Sequence, residues 1–225
     1  MKGISVDENG IKTLKTRKKE YAARTVIVAS GARHRLLGAK GEEEFSGMGV
    51  SYCATCDGAF YKEQTVAVIG GGNVAVEDAI FLARICRKVY VVHRRDQLRA
   101  EEILQKKLSQ FSNVEMCWNQ VCEKIEGQDQ VEKVCLRNTK TGEEREIAVD
   151  GVFIAVGIHP NSEAFQGVLD MDESGYIRAG EDGCTNIPGI FAAGDVRTKK
   201  LRQIVTAVSD GANAVSSVQE YLSRR

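Results

Sequence analysis

An α/β fold built around a Rossmann-like βαβ unit is what the sequence predicts, on three observations. Thr65-Val66-Ala67-Val68-Ile69 is an apolar run that ends in Gly70-Gly71-Gly72. Helical spacing of Val76, Ile80 and Ala83 follows across residues 74–86, and a second apolar run covers residues 88–92. Two more runs, 151–157 and 190–194, also end in glycine, and Asp195 follows the second. Strands that are apolar throughout are the mark of a sheet covered on both faces.

Around this centre the elements read in order. Residues 1–20 are polar, with short β-like pieces around Lys12, Lys15, Arg17, Lys18 and Lys19, a basic run that reads as a solvated hairpin. Residues 23–30 read as a strand because Val26-Ile27-Val28-Ala29 is continuous, and Gly31 stops it. Residues 33–44 form an irregular crossing segment with Gly38 and Gly41. Beyond the βαβ unit a helix is expected over residues 99–110, with Leu104 and Leu108 on one face. Residues 114–149 alternate short β-like runs with polar turns, a hairpin-rich excursion. His159-Pro160-Asn161 breaks the chain and is a candidate domain junction. In the last helix, residues 203–221, the spacing of Ile204, Val208, Ala212, Val215 and, just beyond it, Leu222 predicts one buried face.

The totals narrow the function classes. In 225 residues, Lys plus Arg equals Asp plus Glu at 31 each, so no net field recruits nucleic acid or an anionic membrane, and neither is an expected partner. The first residues lack the apolar core of a signal peptide, and no apolar run approaches membrane-spanning length, so a cytoplasmic protein is expected. In a reducing compartment seven cysteines do not make a disulfide scaffold, which turns a close pair toward catalysis or metal. Cys86, Cys117, Cys122, Cys135 and Cys184 are scattered and read as ordinary thiols.

Three motifs carry chemistry. Cys53-Ala54-Thr55-Cys56-Asp57 spaces two thiols so that one attacks a partner while the other closes the ring, and the adjacent carboxylate of Asp57 can move the proton each step requires. Zinc on Cys53 and Cys56 lacks a second well-spaced pair, and no metal is expected. Gly70, Gly72 and Ala75 fit a G-x-G-x-x-A dinucleotide turn, in which helix-start amides from Asn73 onward bind phosphates; the alternative is a tight turn with no ligand. The second strand ends in His93-Arg94-Arg95, with Arg99 close behind, where an NAD site places an acidic residue. Guanidinium groups there suit a 2′-phosphate, so NADPH is the expected dinucleotide, with a solvated basic turn as the alternative.

With CATCDG, VIGGGN, HRRDQLRA and GIFAAGDV in this order, the chain resembles the low-molecular-weight thioredoxin reductases over nearly its whole length. The resemblance implies a Rossmann-like NADPH domain inserted into an FAD domain of the three-layer ββα type. Residues 1–35 and 158–225 would be the FAD-domain parts, and residues 36–157 the NADPH domain with the redox pair. It further implies electron flow from NADPH through FAD to the cysteines and on to thioredoxin, in a homodimer. Cys56 would lie next to the flavin, Cys53 would attack thioredoxin, and Asp57 would be the acid–base group. Gly194, Asp195 and Val196 would hold FAD together with Arg202 and Gln203 at a helix N-terminus. One departure is large: no glycine turn for the ADP half of FAD occurs before Gly70. The FAD domain is therefore expected to be incomplete, and the chain to bind FAD weakly or not at all and to be inactive alone. Two alternatives are a non-catalytic NADP-binding fragment and the flavoprotein subunit of alkyl hydroperoxide reductase; His93-Arg94-Arg95 argues against the latter, whose members generally use NADH.

Overall fold

The computed structural model describes residues 2–224. In chain order the first elements are β1 (Gly3–Val6), β2 (Lys12–Lys15), β3 (Glu20–Ala23), β4 (Val26–Val28) and β5 (Ala32–His34). The middle adds β6 (Val50–Ser51), α1 (Ala54–Asp57), β7 (Thr65–Gly70), α2 (Asn73–Ala83), β8 (Lys88–His93), α3 (Glu102–Leu108) and β9 (Val114–Trp118). Then come β10 (Gln120–Gly127), β11 (Val131–Asn138), β12 (Glu144–Ala148), β13 (Gly151–Ala155), β14 (Ile158–Pro160), β15 (Ile190–Ala192) and α4 (Ile204–Ser223). The chain forms two compact units, one of residues 34–157 and one of the residues on either side.

In the 34–157 unit five parallel strands run in the order β6-β13-β7-β8-β9. Parallel neighbours need a crossover, and α2 and α3 provide those from β7 to β8 and from β8 to β9. Side chains of β7 alternate between two cores. Val66 and Val68 belong to the cluster that holds Val76, Ile80 and Leu82 of α2. Ala67 and Ile69 belong to the one that holds Ile125, Val134 and Leu136 of the antiparallel sheet β10-β11-β12. The layers are therefore helix, parallel sheet and antiparallel sheet, the α/β type expected. Each fully buried valine or leucine contributes about 1.5–3 kcal/mol.

Boundaries differ from expectation where residues distant in the chain meet. The stretch 114–149 is not all hairpin, because β9 joins the parallel sheet with Val114 opposite Val89. The first long helix stops at Ala83, where Asn113 Nδ2 donates to the carbonyls of Ala83 and Cys86 at 2.9 and 3.0 Å. The second begins only at Glu102, after Asn73 Oδ1 has accepted the Glu101 N–H at 3.0 Å.

In the other unit β1, β2 and β3 form an antiparallel meander, and β4 pairs in parallel with β15. Ile190 and Ala192 of β15 join Val28, Ile177 and Val196, while Phe191 and Ala193 turn toward Ala214 of α4. Two expectations fail here. Lys12 is not solvated: it is buried, and its Nζ donates to the Arg24 carbonyl at 3.0 Å and lies 5.2 Å from the centre of the Tyr221 ring. The face of α4 predicted to be buried also points outward, with Ile204 85%, Val208 67% and Val215 51% exposed.

Charge, not apolar spacing, decides how α4 sits in its unit. Asp210 is buried and its carboxylate accepts from Arg197 Nη2 at 2.7 Å, and from Arg197 Nε, Lys199 Nζ and the Gly194 N–H at 2.8 Å. Ala214, Val218 and Tyr221 follow at helical spacing on the same side and pack on Phe191 and Ala193. No helix among the described residues is long and apolar enough to cross a membrane.

Two stability predictions follow from carboxylates withdrawn from water, Asp210 buried and Asp78 half-buried. Burial by itself would raise the pKa of Asp210, but its hydrogen bonds from Arg197, Lys199 and Gly194 hold it well below the carboxylate range. Its stabilisation is therefore present above the unfolded-state pKa, about 3.9, and lost as pH falls through the lower folded value. Asp210→Ala leaves the buried guanidinium of Arg197 with only the exposed Glu181 carboxylate as counter-charge and should cost about 3–5 kcal/mol at pH 7 in urea unfolding. Asp78 on α2 behaves oppositely, its pKa pushed up to about 6 by burial and then by Glu77. Its ionisation destabilises the fold as pH rises from about 4 to 6, so Asp78→Asn should add about 1–3 kcal/mol at pH 8 and almost nothing at pH 4.

Candidate functional site

The cysteine turn hangs from the end of β6. Cys53 and Cys56 are joined by a disulfide, with Cα atoms 5.3 Å apart. Extended backbone at Cys53 leads into the single turn of α1, where the N–H groups of Cys56 and Asp57 both donate to the Cys53 carbonyl, at 3.2 and 3.1 Å. Ala54 is buried in the core, and Gly58 lies so close to α2 that a Cβ there would come within 2.9 Å of the Phe81 ring. The turn is thus anchored on both sides, while Cys56 itself is exposed. The Asp57 carboxylate accepts a hydrogen bond from Ser51 Oγ at 2.6 Å. Motif spacing singled out Asp57 but not Ser51.

The five remaining cysteines are poor competitors for this chemistry. Burial pushes the thiols of Cys86 and Cys117 up to about 11 and that of Cys122 to about 12, and raises Cys135 and Cys184. Thiolate is the reactive form, so all five are weak nucleophiles at neutral pH.

The glycine turn packs tightly on one side and opens on the other. A Cβ on Gly70 would meet the Ala155 carbonyl oxygen at 2.5 Å and Ala75 Cβ at 2.7 Å, which is why residue 75 must also be small. Gly71, which the G-x-G-x-x-A spacing leaves free, is held to glycine by the His93 ring, 2.2 Å from where its Cβ would stand. Nothing lies within 4 Å of a Cβ on Gly72, where α2 begins, so helix-start amides have room for a phosphate. The Gly71 carbonyl in turn accepts the Arg99 N–H at 2.7 Å, tying the arginine segment to the turn.

A cavity of about 460 Å³ opens over this turn, with Gly70, Gly71, His93, Arg94, Arg99 and Gln120 in its wall. Arg95 is not in that wall, and the Asn73 amide is engaged with Glu101 instead, donating to its carboxylate at 2.9 Å. Burial lowers the pKa of His93, opposed by hydrogen bonds at the backbone of Gln97 and Gly70 and reinforced by Arg99 and Arg94, so its ring is neutral at pH 7. His93 Nε2 and Gln120 Oε1 are both buried with no hydrogen-bond partner. A buried polar atom left unpaired costs about 1–3 kcal/mol, and two in one cavity fit a polar ligand that pairs with them. Gln120 had no signal in the sequence, because it begins an ordinary β-strand.

The second unit repeats the pattern. Gly194 takes φ 76°, a left-handed turn after β15 that places Asp195 beyond the strand end. Asp195 Oδ1 and Arg202 Nε are buried without partners, and the Arg202 guanidinium lies 3.9 Å from the centre of the Tyr176 ring. Gln203 caps α4 in a reciprocal capping box with Thr206. Val196 is different, since its side chain is part of the core.

Comparison with known proteins agrees with this geometry. The family of pyridine nucleotide-disulphide oxidoreductases matches residues 1–211. A thioredoxin reductase of Listeria innocua is 50% identical over 96% of the chain and 68% of its own length; one of Bacillus subtilis is 47% identical over 96% and 69%. The crystal structure of thioredoxin reductase from Streptococcus pyogenes superposes with a TM-score of 0.95 at 46% identity, over 100% of this chain and 73% of that one. Identity of this order along nearly the whole chain, with the fold matched throughout, means that the chain belongs to the pyridine nucleotide-disulphide oxidoreductases and, within them, to the thioredoxin reductases, which are NADPH-dependent flavoprotein disulfide oxidoreductases.

Proposed function

We propose that the chain is a thioredoxin-disulfide reductase in which Cys53 and Cys56 take two electrons that originate on NADPH and pass them to thioredoxin. The observation that carries this reading is the bridged pair beside Asp57 in the same unit as a glycine turn, with unpaired His93 and Gln120 atoms above that turn. When bound, NADPH supplies a hydride and FAD relays its two electrons to the disulfide.

The residues do the rest. Helix-start amides after Gly72 hold the pyrophosphate, and Arg94 and Arg99 grip the 2′-phosphate by charge-assisted hydrogen bonds. Arg95, outside the cavity wall, adds charge but less contact. Asp57 moves the protons that accompany each opening and closing of the disulfide. Cys53 is the thiol that attacks thioredoxin, and Cys56 the one that would take electrons from the flavin. In the flanking unit, the orphaned Asp195 Oδ1 and Arg202 Nε fit FAD, whose ribityl hydroxyls and ring edge offer both donors and acceptors. Gly194, Val196 and Gln203 contribute through backbone and cap. Residues 34–157 are then the NADPH domain and the flanking parts belong to the FAD domain. In this role the protein works in the cytoplasm as a homodimer.

Dinucleotide choice is the sharpest test. NADPH should bind about 100-fold more tightly than NADH, and Arg94→Ala with Arg99→Ala should remove most of that preference while leaving NADH affinity nearly unchanged. Equal affinity of the unaltered protein for both, by fluorescence titration, would refute the assignment. Electron flow is checked by counting thiols: NADPH alone should leave the Cys53–Cys56 disulfide intact, and NADPH with added FAD should reduce it. Thiols appearing at the same rate without FAD would contradict the route.

A further inference from the structure

Ser51 stands at a junction of the redox turn. It is the last residue of β6, it is buried, and pairing with Phe153 of β13 holds its backbone in the parallel sheet. Its Oγ accepts the Cys53 N–H at 3.1 Å and lies 2.6 Å from Asp57 Oδ2 and 3.4 Å from the Cys53 carbonyl. A serine hydroxyl has one proton to donate, and the short contact to the carboxylate takes it. The hydroxyl therefore bridges the backbone of one redox cysteine and the carboxylate that follows the other.

Asp57 also lines a cavity of about 340 Å³, shared with Tyr61, Asp150, Gln64 and Gln130. Through it protons can reach the carboxylate from solvent. The ionisable groups around Asp57 are Tyr61, in the turn after α1, and Asp150, just before β13; the phenol of Tyr61 is itself pushed up by burial and then by these two carboxylates. Among the described residues no cation lines this cavity, and the Ser51 hydroxyl is the group that orients the charge.

We propose that Ser51 is a positioning residue for disulfide exchange, fixing the Asp57 carboxylate relative to the Cys53–Cys56 pair by bridging it to the Cys53 backbone. The inference rests on the reading of Asp57 as the acid–base group. In reduction by an external dithiol such as dithiothreitol, a thiolate attacks one cysteine sulfur, the Cys53–Cys56 bond breaks, and the departing cysteine sulfur takes a proton. The second dithiothreitol sulfur then attacks the mixed disulfide, closes the dithiothreitol ring and frees the other cysteine, which takes the second proton. Two electrons and two protons pass to the protein, and the dithiol is oxidised. Asp57 hands on those protons, and Ser51 determines where its oxygens lie when it does so.

The test is the rate of Cys53–Cys56 reduction by dithiothreitol at pH 7, at fixed dithiothreitol thiolate concentration, for the unaltered chain and four variants. Ser51→Ala should slow the reaction about tenfold, the size of a hydrogen bond to a charged group. Ser51→Thr, which keeps the hydroxyl, should restore the original rate. Asp57→Asn should slow the reaction at least as much as Ser51→Ala, and Ser51→Ala added to Asp57→Asn should then change nothing further. A role in folding alone would make the double variant slower than Asp57→Asn and would overturn the role of Ser51. An unchanged rate in Ser51→Ala beside a slowed one in Asp57→Asn would overturn it too, as would a Ser51→Thr rate as low as that of Ser51→Ala. A rate unchanged by Asp57→Asn would overturn the reading of Asp57, and the inference with it.

Discussion

Burial of β7 on both of its faces is the constraint from which the sites of the 34–157 unit follow. Val66 and Val68 lock it against α2, and Ala67 and Ile69 lock it against the antiparallel sheet, so its end at Gly70 cannot shift. Its neighbours β8 and β13 stop at His93 and Ala155, and β6 stops at Ser51, all at the carboxyl ends of parallel strands. Ligands of open α/β sheets bind outside those ends. Both the glycine turn and the cysteine turn therefore stand on rigid strand ends, which gives their backbone the close contacts that exclude a Cβ at Gly70 and Gly71.

Polar atoms that find no partner sharpen this picture. Four buried side-chain atoms among the described residues are unpaired: His93 Nε2, Gln120 Oε1, Asp195 Oδ1 and Arg202 Nε. Two lie in each unit: His93 and Gln120 in the wall of the cavity over the Gly70 turn, Asp195 directly after Gly194, and Arg202 just ahead of α4. A fold kept for stability alone would pair or expose such atoms, because each costs free energy comparable to a lost hydrogen bond. Elsewhere among the described residues, buried side-chain polar atoms find partners. Glu42 accepts from the N–H groups of Leu37 and Gly38 and from the Tyr52 hydroxyl, and Asp210 accepts from four donors. The contrast separates groups that hold the protein together from groups left ready for a ligand.

The sequence alone was enough for everything local. Continuous apolar runs identified the buried strands, glycines after a strand identified the turn, and two cysteines three positions apart were close enough to bridge whatever the rest of the chain did. His93, Arg94 and Arg99 were legible because they follow a strand whose end had already been located. The ordered set of motifs then pointed to a family, which the comparison of the whole chain bears out.

Only the tertiary structure decided matters of long range. The apolar stripe of Ile204, Val208 and Val215 is well formed, yet it faces outward, because Asp210 on another side of α4 is drawn in by Arg197, 13 residues away. Lys12 is buried because Tyr221, 209 residues distant, reaches it. Gly71, Gln120 and Ser51 carry no periodicity or motif of their own; what they meet, the His93 ring, a cavity wall and the Asp57 carboxylate, comes only with folding. Periodicity reports which side of an element is apolar and spacing reports which residues can meet within one turn, but compensation of buried charge and exclusion of a single Cβ depend on partners that only folding brings near.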